Sequence, residues 1–142
     1  MPIVSFDFDK ISAERKAFTS GKVEIRSNIT IIDIEKEKLE LAKNEEALKF
    51  LFEFKLSYEP NAGELILRGH TVFVDDEKKI KDILKEWKNK KIPEEIALQV
   101  INNILYRCNL KALQMAHEIS LPLHIQMPRA TPARKDVKEY IG

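Results

Sequence analysis

Few residues in this chain combine the types and spacing that catalysis or metal binding requires. The three histidines are His70, His117 and His124, and the last two are seven residues apart with Pro122 between them. That spacing matches no zinc-binding pattern, and Cys108 supplies no partner for it. The four glycines form none of the glycine-rich patterns that cradle phosphate groups. We therefore expect no metal, no cofactor and no enzymatic activity.

Two further polar features have structural interpretations. The acidic residues 75–77 stand where a helix is predicted to begin, and carboxylates there cap backbone N–H groups and suit the helix dipole. Cys108, the single cysteine, lies among apolar residues of a predicted helix that include Leu105 and Ala112. We expect a buried thiol there, since a cysteine nucleophile needs a nearby base and an electropositive site.

The most basic stretch is the segment Lys78–Lys91, which holds seven lysines. Asp82 and Glu86 within it, with Asp76 and Glu77 just before it, dilute its charge. Glu77 with Lys81 has the spacing of a helical ion pair. The whole chain has 24 Lys and Arg against 23 Asp and Glu, which gives no bulk attraction for nucleic acid. A solvated helix face is the favoured interpretation, and an RNA-binding surface is the alternative.

The strongest structural signal is strict alternation of apolar and polar residues through 46–74. A Pro/Asn/Gly turn at residues 59–63 interrupts it, so the pattern predicts a long β-hairpin. At ~3.3 Å per residue each strand would reach about 40 Å. One side of the first strand carries Leu48, Phe50, Phe52, Phe54, Leu56 and Tyr58.

Two weaker alternating segments precede the hairpin. Residues 4–8 predict a short first strand, and residues 23–34 predict a second. In the second, the apolar parity flips at Ile31-Ile32. That flip indicates either a β-bulge or a strand that ends at Ile31, and the sequence leaves both open.

Helical periodicity follows over residues 77–89 and 93–119, with Pro93 suited to the first position of the second helix. The predicted fold is therefore α+β, a twisted antiparallel sheet of about four long strands. A long C-terminal helix and a shorter helix pack on one face of that sheet. Residues 1–142 form a single domain, with a Pro-rich extended segment from about residue 121.

The long helix carries more apolar surface than one sheet can cover, since a helix on a sheet needs a stripe of about 100°. A second subunit is the simplest cover, which predicts a dimer or tetramer. Its interface residues would be Ile101, Leu105, Cys108 and Ala112. The alternative is that the C-terminal segment folds back over the helix.

Two apolar surfaces could bind an extended peptide. One is the second face of the sheet, through Leu51, Ile66 and Val72. The other is the segment 121–128, which cannot be helical because of its prolines. Its alternating apolar residues are Leu121, Leu123, Ile125 and Met127. This segment could instead be a structural strap, which we expect to be extended against the protein, with roughly the last ten residues loose.

Four strands, a linking element, a long amphipathic helix and a Pro-containing apolar end, here Ala112 through Met127-Pro128, resemble the SecB export-chaperone family. The likeness covers roughly residues 3–130. It implies helices sandwiched between subunits in a dimer of dimers, and ATP-independent holding of unfolded chains. The chain also looks like small archaeal proteins with an Ile/Leu-Pro-rich end, and a charged fraction of 33% leans thermophilic.

Three functions remain in order of preference: a SecB-like holdase for unfolded or extended polypeptide, an adaptor or structural subunit of a larger assembly, and an RNA-binding module. The start of the chain lacks the basic and apolar regions of a signal peptide, and no apolar run approaches ~18 residues. We therefore expect a cytoplasmic protein without membrane insertion.

Overall fold

A computed structural model of the chain describes residues 3–16 and 21–130. The expected looseness of the last ten residues lies outside these described residues. Within them four strands and two helices follow in the order β1 (Ile3–Arg15), β2 (Glu24–Glu37), β3 (Glu45–Glu59), β4 (Gly63–Asp76), α1 (Glu77–Trp87) and α2 (Glu94–Glu118).

The strands form one sheet in the spatial order β1-β4-β3-β2, and every neighbouring pair is antiparallel. β2, β3 and β4 are consecutive neighbours, while β1 lies beside β4 at the opposite edge from β2. The predicted hairpin turn occupies residues 60–62, with a cis Glu59–Pro60 peptide and an Ala62 N–H that donates to the Tyr58 carbonyl at 2.8 Å. The predicted α+β class is confirmed.

β1 is longer than the sequence pattern predicted, because a register shift at Asp9 interrupts the apolar alternation without ending the strand. Phe6 and Phe8 lie opposite residues of one face of β4, and beyond the shift the same face is continued by Ile11 and Ala13. The extra residue reverses the apolar parity, so the alternation of 4–8 stops while the strand continues. β1 therefore runs through Arg15.

β2 contains the bulge that the parity flip allowed. The register with β3 shifts between Ile31 and Asp33, and the strand then continues to Glu37. Ile32 is the extra residue, and it is exposed. The alternative, a strand that ends at Ile31, is wrong.

The two faces of the sheet differ in what covers them. We name the face that carries the helices the core face and the other the open face. Alternation places every second residue of β3 and β4 on the core face, where the aromatic and aliphatic side chains are wholly buried. The largest of these are Phe50, Phe52, Phe54, Tyr58 and Phe73.

α1 is fixed at both ends. The Asp76 carboxylate accepts from the Lys79 N–H at 2.9 Å, which confirms the predicted N-cap. Ile80 and Ile83 are buried, and Trp87 Nε1 donates to Asp33 Oδ1 at 3.1 Å. The bulge in β2 thus supplies the carboxylate that holds the end of α1.

α2 buries every fourth residue along its length, in the row Ile96, Val100, Ile104, Cys108, Ala112 and Ala116. Since an α-helix has 3.6 residues per turn, this row rotates by about 40° per turn around the helix. The row therefore follows the twist of the sheet under it, chiefly β4. Pro93 is the N-cap rather than the first helical residue, and Glu94 and Glu95 occupy the first turn.

After α2 the chain turns back over β3 as a short strap, Leu121–His124. Leu121 is buried, and its N–H donates to the Ala116 carbonyl at 2.9 Å. Tyr58 Oη donates to the Pro122 carbonyl at 2.9 Å. Ile125 and Met127, which the alternation placed on the same apolar face, are exposed. Only the first half of the predicted stripe is packed, because the chain bends at His124 and Ile125.

Gly69 sets how closely β1 can lie against β4. It lies opposite both Phe8 and Phe52, and an added Cβ would meet the Asp7 carbonyl oxygen and approach Phe52 Cζ to 2.9 Å. We expect Gly69→Val to lower the free energy of unfolding by about 3 kcal/mol, because backbone and ring would have to move.

Urea denaturation measures this effect, and Gly21→Val is the matched control, since a Cβ at Gly21 meets nothing within 4 Å. The control should change stability by less than about 0.5 kcal/mol. Equal effects of the two substitutions would contradict the assigned contact.

We expect burial of the Leu121 side chain to make the strap contribute to the stability of the fold. Its side chain is 4% exposed and lies against Gly63, so we expect Leu121→Ala to cost about 2–4 kcal/mol. Ile125→Ala, at a side chain that is 40% exposed, should cost less than about 1 kcal/mol. Thermal unfolding compares the two, and a Leu121→Ala protein that melts with the native one would show that the strap is not structural.

Candidate functional site

The polar residues that could do chemistry are not brought together. Among residues 3–16 and 21–130, no group of three or more His, Cys, Asp or Glu side chains is placed to bind a metal ion. Cys108 is wholly buried, and burial raises the pKa of its thiol to about 12 in spite of nearby Arg107. Almost no thiolate forms at neutral pH with such a pKa, so Cys108 is not poised as a nucleophile.

Several lysines of the basic segment have partners. Lys79 lies 3.8 Å from an Asp75 oxygen and Lys81 lies 3.2 Å from a Glu77 oxygen. Lys90 Nζ lies 4.5 Å from the centre of the Trp87 ring. These contacts support a solvated helix face, and the RNA-binding alternative stays a prediction.

The open face is lined with polar contacts between neighbouring strands. Arg68 Nε forms an ion pair with a Glu53 oxygen at 2.7 Å, and His70 Nδ1 lies within hydrogen-bond distance, 2.8 Å, of an Asp9 oxygen. Further pairs are Lys55 with Glu64 at 3.6 Å and Lys49 with Glu37 at 3.5 Å. Charge on this face is therefore neutralised locally, and each exposed pair adds little to stability.

The predicted peptide-binding residues Leu51, Ile66 and Val72 all lie on this open face, each opposite a polar or charged neighbour. Leu51 and Ile66 are half-buried. Val72 is only 6% exposed, because it packs with Ala47, Val74 and the loop residue Leu41. Their role in binding stays a prediction.

Another apolar surface lies on the core face at the outer edge of the sheet. We name it the β2 ledge, and it consists of Val23, Ile25, Ile29 and Ile31. These side chains are half-buried, whereas the cross-strand neighbours of the three isoleucines on β3 are fully buried. Ser27, which is exposed, lies between Ile25 and Ile29 on the same face. β2 is an edge strand, so its outer backbone groups have no sheet partner among the described residues. An edge of this kind can pair with an extended peptide.

Two described elements lie at the ends of the ledge. The strap crosses β3 where Ile25 and Ile29 have their partners, with the His124 ring edge-on to Phe54 at 6.2 Å between centres. The end of α1 meets β2 at Asp33, two residues beyond Ile31. Two hydrogen bonds, from Trp87 and from the Ile34 N–H, lower the pKa of the Asp33 carboxyl. The Asp33 carboxyl, which holds the end of α1, is therefore ionised at neutral pH.

The alternation of the ledge residues was predicted from the sequence, but their role as a site was not. The parity of the ledge residues in the sequence shows that they share a face of the sheet. How far each side chain is buried depends on where the helices and the strap lie. The available signal was the single parity that Val23, Ile25, Ile29 and Ile31 share in the sequence.

The residues predicted for an oligomer interface divide into two groups. Cys108 and Ala112 are wholly buried in the core of the same chain, while Ile101 and Leu105 are half-buried beside it. Further out on α2 are three exposed apolar residues, which we name the outer row: Leu98, Tyr106 and Leu110. An interface on α2 would use the outer row first, and oligomerisation stays a prediction.

Neither described helix combines the length and hydropathy needed to cross a membrane.

No protein-family model matches the chain, and no curated protein matches its sequence. Among solved structures, it is similar to Mycobacterium tuberculosis Rv1957, a SecB-like chaperone in complex with a ChAD peptide from the Rv1956 HigA1 antitoxin. The match covers 92% of this chain and 91% of that chain, with a TM-score of 0.53 and 8% sequence identity. At this identity the likeness shows the fold alone, and the fold of this chain is SecB-like, as the resemblance in sequence pattern implied.

Proposed function

We propose that this protein binds extended apolar segments of other polypeptides without nucleotide, as a SecB-like holdase, and that the β2 ledge is the binding surface. The observation that carries the proposal is the row of half-buried Val and Ile side chains beside an open strand edge. A bound segment would add to β2 by backbone hydrogen bonds and place alternate side chains on the ledge.

The strength of such binding follows from the exposed area. Burying the exposed third or less of three isoleucines contributes at most roughly 3 kcal/mol, if full burial of one is worth about 1.5–3 kcal/mol. That alone corresponds to an affinity weaker than about 1 mM. Weak sites suit capture of many sequences, and several ledges in one assembly would strengthen binding through effective concentration.

The fold comparison supports a polypeptide partner without naming one. The similar structure holds a peptide from an antitoxin, and a shared fold does not carry over a binding site. The ledge is preferred to Leu51, Ile66 and Val72 because ion pairs interrupt the open face and Val72 is covered. The exposed Ile125 and Met127, which follow the strap, could extend the surface of the ledge.

A substitution on the ledge tests this location. Ile29→Lys should weaken binding of a fluorescent extended apolar peptide at least tenfold, since a charge replaces apolar contact. Thr30→Lys is the matched control, because Thr30 is exposed on the opposite face of the same strand and should leave affinity unchanged.

Leu51→Lys distinguishes the two candidate faces in the same anisotropy measurement. Loss of binding with Leu51→Lys, together with native affinity for Ile29→Lys, would move the site to the open face. Native affinity for both variants would reject both surfaces.

The second candidate function is an adaptor that holds one partner. The small size of the ledge favours it, since four side chains suit a single short segment. A pull-down at moderate salt separates the functions. Many heterogeneous clients support the holdase, one protein supports the adaptor, and nucleic acid supports the RNA-binding alternative.

Self-association through the outer row of α2 is part of the proposal. Tyr106 is 67% exposed, and we expect Tyr106→Lys to convert a dimer or tetramer to a 16.5 kDa monomer without loss of folding. Thr30→Lys should keep the native mass. Light scattering at micromolar concentration measures both, and a native protein that scatters as a monomer would refute self-association.

A further inference from the structure

The ring of His124 is held in a geometry that suits its neutral form. Nε2 lies 2.9 Å from Asn109 Oδ1, an acceptor, so Nε2 carries the proton and donates. Nδ1 then holds a lone pair, and it is buried without a hydrogen-bond partner. The ring also packs edge-on against Phe54.

Protonation of the imidazole at Nδ1 would be unfavourable in this position. It would add a buried N–H donor at Nδ1 with no acceptor, and a positive charge among apolar side chains. Burial accordingly lowers the pKa of His124 below its ordinary value.

The elements packed around the ring supply no charge that could compensate. On α2 the row that includes Asn109 consists of Ala97, Ile101, Leu105, Asn109, Leu113 and His117. Its one ionisable residue, His117, is exposed and lies about two turns beyond Asn109. The core-face residues of β2 from Ile25 to Ile31 are also uncharged. On the core face of β3, Tyr58 is the group that titrates near the strap, and burial raises the pKa of its phenol, so it stays neutral in acid.

We propose that His124 is an acid-sensitive latch, and that protonation of its imidazole releases the strap Leu121–His124 from Phe54 and Tyr58. Release would widen the apolar surface beside the β2 ledge. The latch concerns the strap and stands apart from polypeptide capture, whereas its effect on a client rests on the proposed function.

The direction of the pH dependence follows from the lowered pKa. A released His124 takes up a proton near its ordinary pKa of about 6.5, while the docked ring resists it to lower pH. Docking is therefore complete above about pH 6.5 and weakens as pH falls. The opening equilibrium rises by up to tenfold per pH unit until the docked ring also titrates.

Hydrogen exchange tests the latch in the full-length protein. The quantity compared is the protection factor of peptides that cover residues 119–124, because it removes the intrinsic pH dependence of exchange. We expect protection at pH 5 to be several-fold to tenfold lower than at pH 7.5, while amides of β3 keep theirs.

Variants identify the titrating group. His124→Gln keeps a side-chain donor for Asn109 and His124→Phe keeps the ring contact, and both should make strap protection independent of pH. His117→Gln, at the exposed histidine on α2, should retain the native pH dependence. Tyr58→Phe removes the bond to Pro122 and should lower protection by the same factor at both pH values.

Equal strap protection of the native protein at pH 5 and 7.5 would overturn the latch, as would an unchanged pH dependence in both His124 variants. Peptide binding measured in parallel keeps the two proposals separate. Strap release at pH 5 without peptide binding supports the latch and rejects the proposed function. Peptide binding at the ledge with a strap that stays protected at pH 5 does the reverse.

Discussion

Coverage of one face of a long sheet is the constraint on which the structure depends. The four strands are 13–15 residues long, so the core face extends over about 45 Å. The 25 residues of α2 span about 37 Å and lie chiefly over β4. α1 and the strap then cover opposite ends of β3. These elements cover β2, at the far edge, only in part. The half-burial of its isoleucines follows from this incomplete cover rather than from any local feature of the strand.

The twist of the sheet accounts for much of the apolar surface of α2. A buried row that rotates around the helix needs apolar residues over a wider arc than a straight stripe does. Ala112 and Cys108 belong to this row, although their sequence positions suggested contact with a second subunit. Once the row is assigned to the sheet, the outer row of Leu98, Tyr106 and Leu110 remains without cover in the described part of the chain. The case for self-association is therefore narrower than the sequence indicated.

How far the sequence predicts the fold depends on whether a residue's surroundings are local. β3 and β4 were predicted because the extra residues at the register shifts lie on β1 and β2, so Phe50 to Tyr58 alternate without interruption. β1 was predicted too short because Asp9 shifts the register, and only pairing with β4 reveals that the strand continues. The candidate site was missed for a similar reason. The parity of Ile25, Ile29 and Ile31 is local, but their exposure depends on the path of α1 and the strap, which are set by contacts such as Trp87 with Asp33 and Tyr58 with Pro122.

The chain's single tryptophan sits at the junction between helix and edge strand. Its indole donates to a carboxylate on β2 and lies under the ammonium group of Lys90, so its environment is polar on one side and packed on the other. Tryptophan fluorescence of the protein therefore reports on one place, the contact of α1 with the bulge in β2. Emission from Trp87 would shift when that junction separates, while the strap at the other end of β3 carries no indole and contributes no tryptophan signal. The molecule thus has a built-in optical probe for one boundary of its edge strand and none for the other.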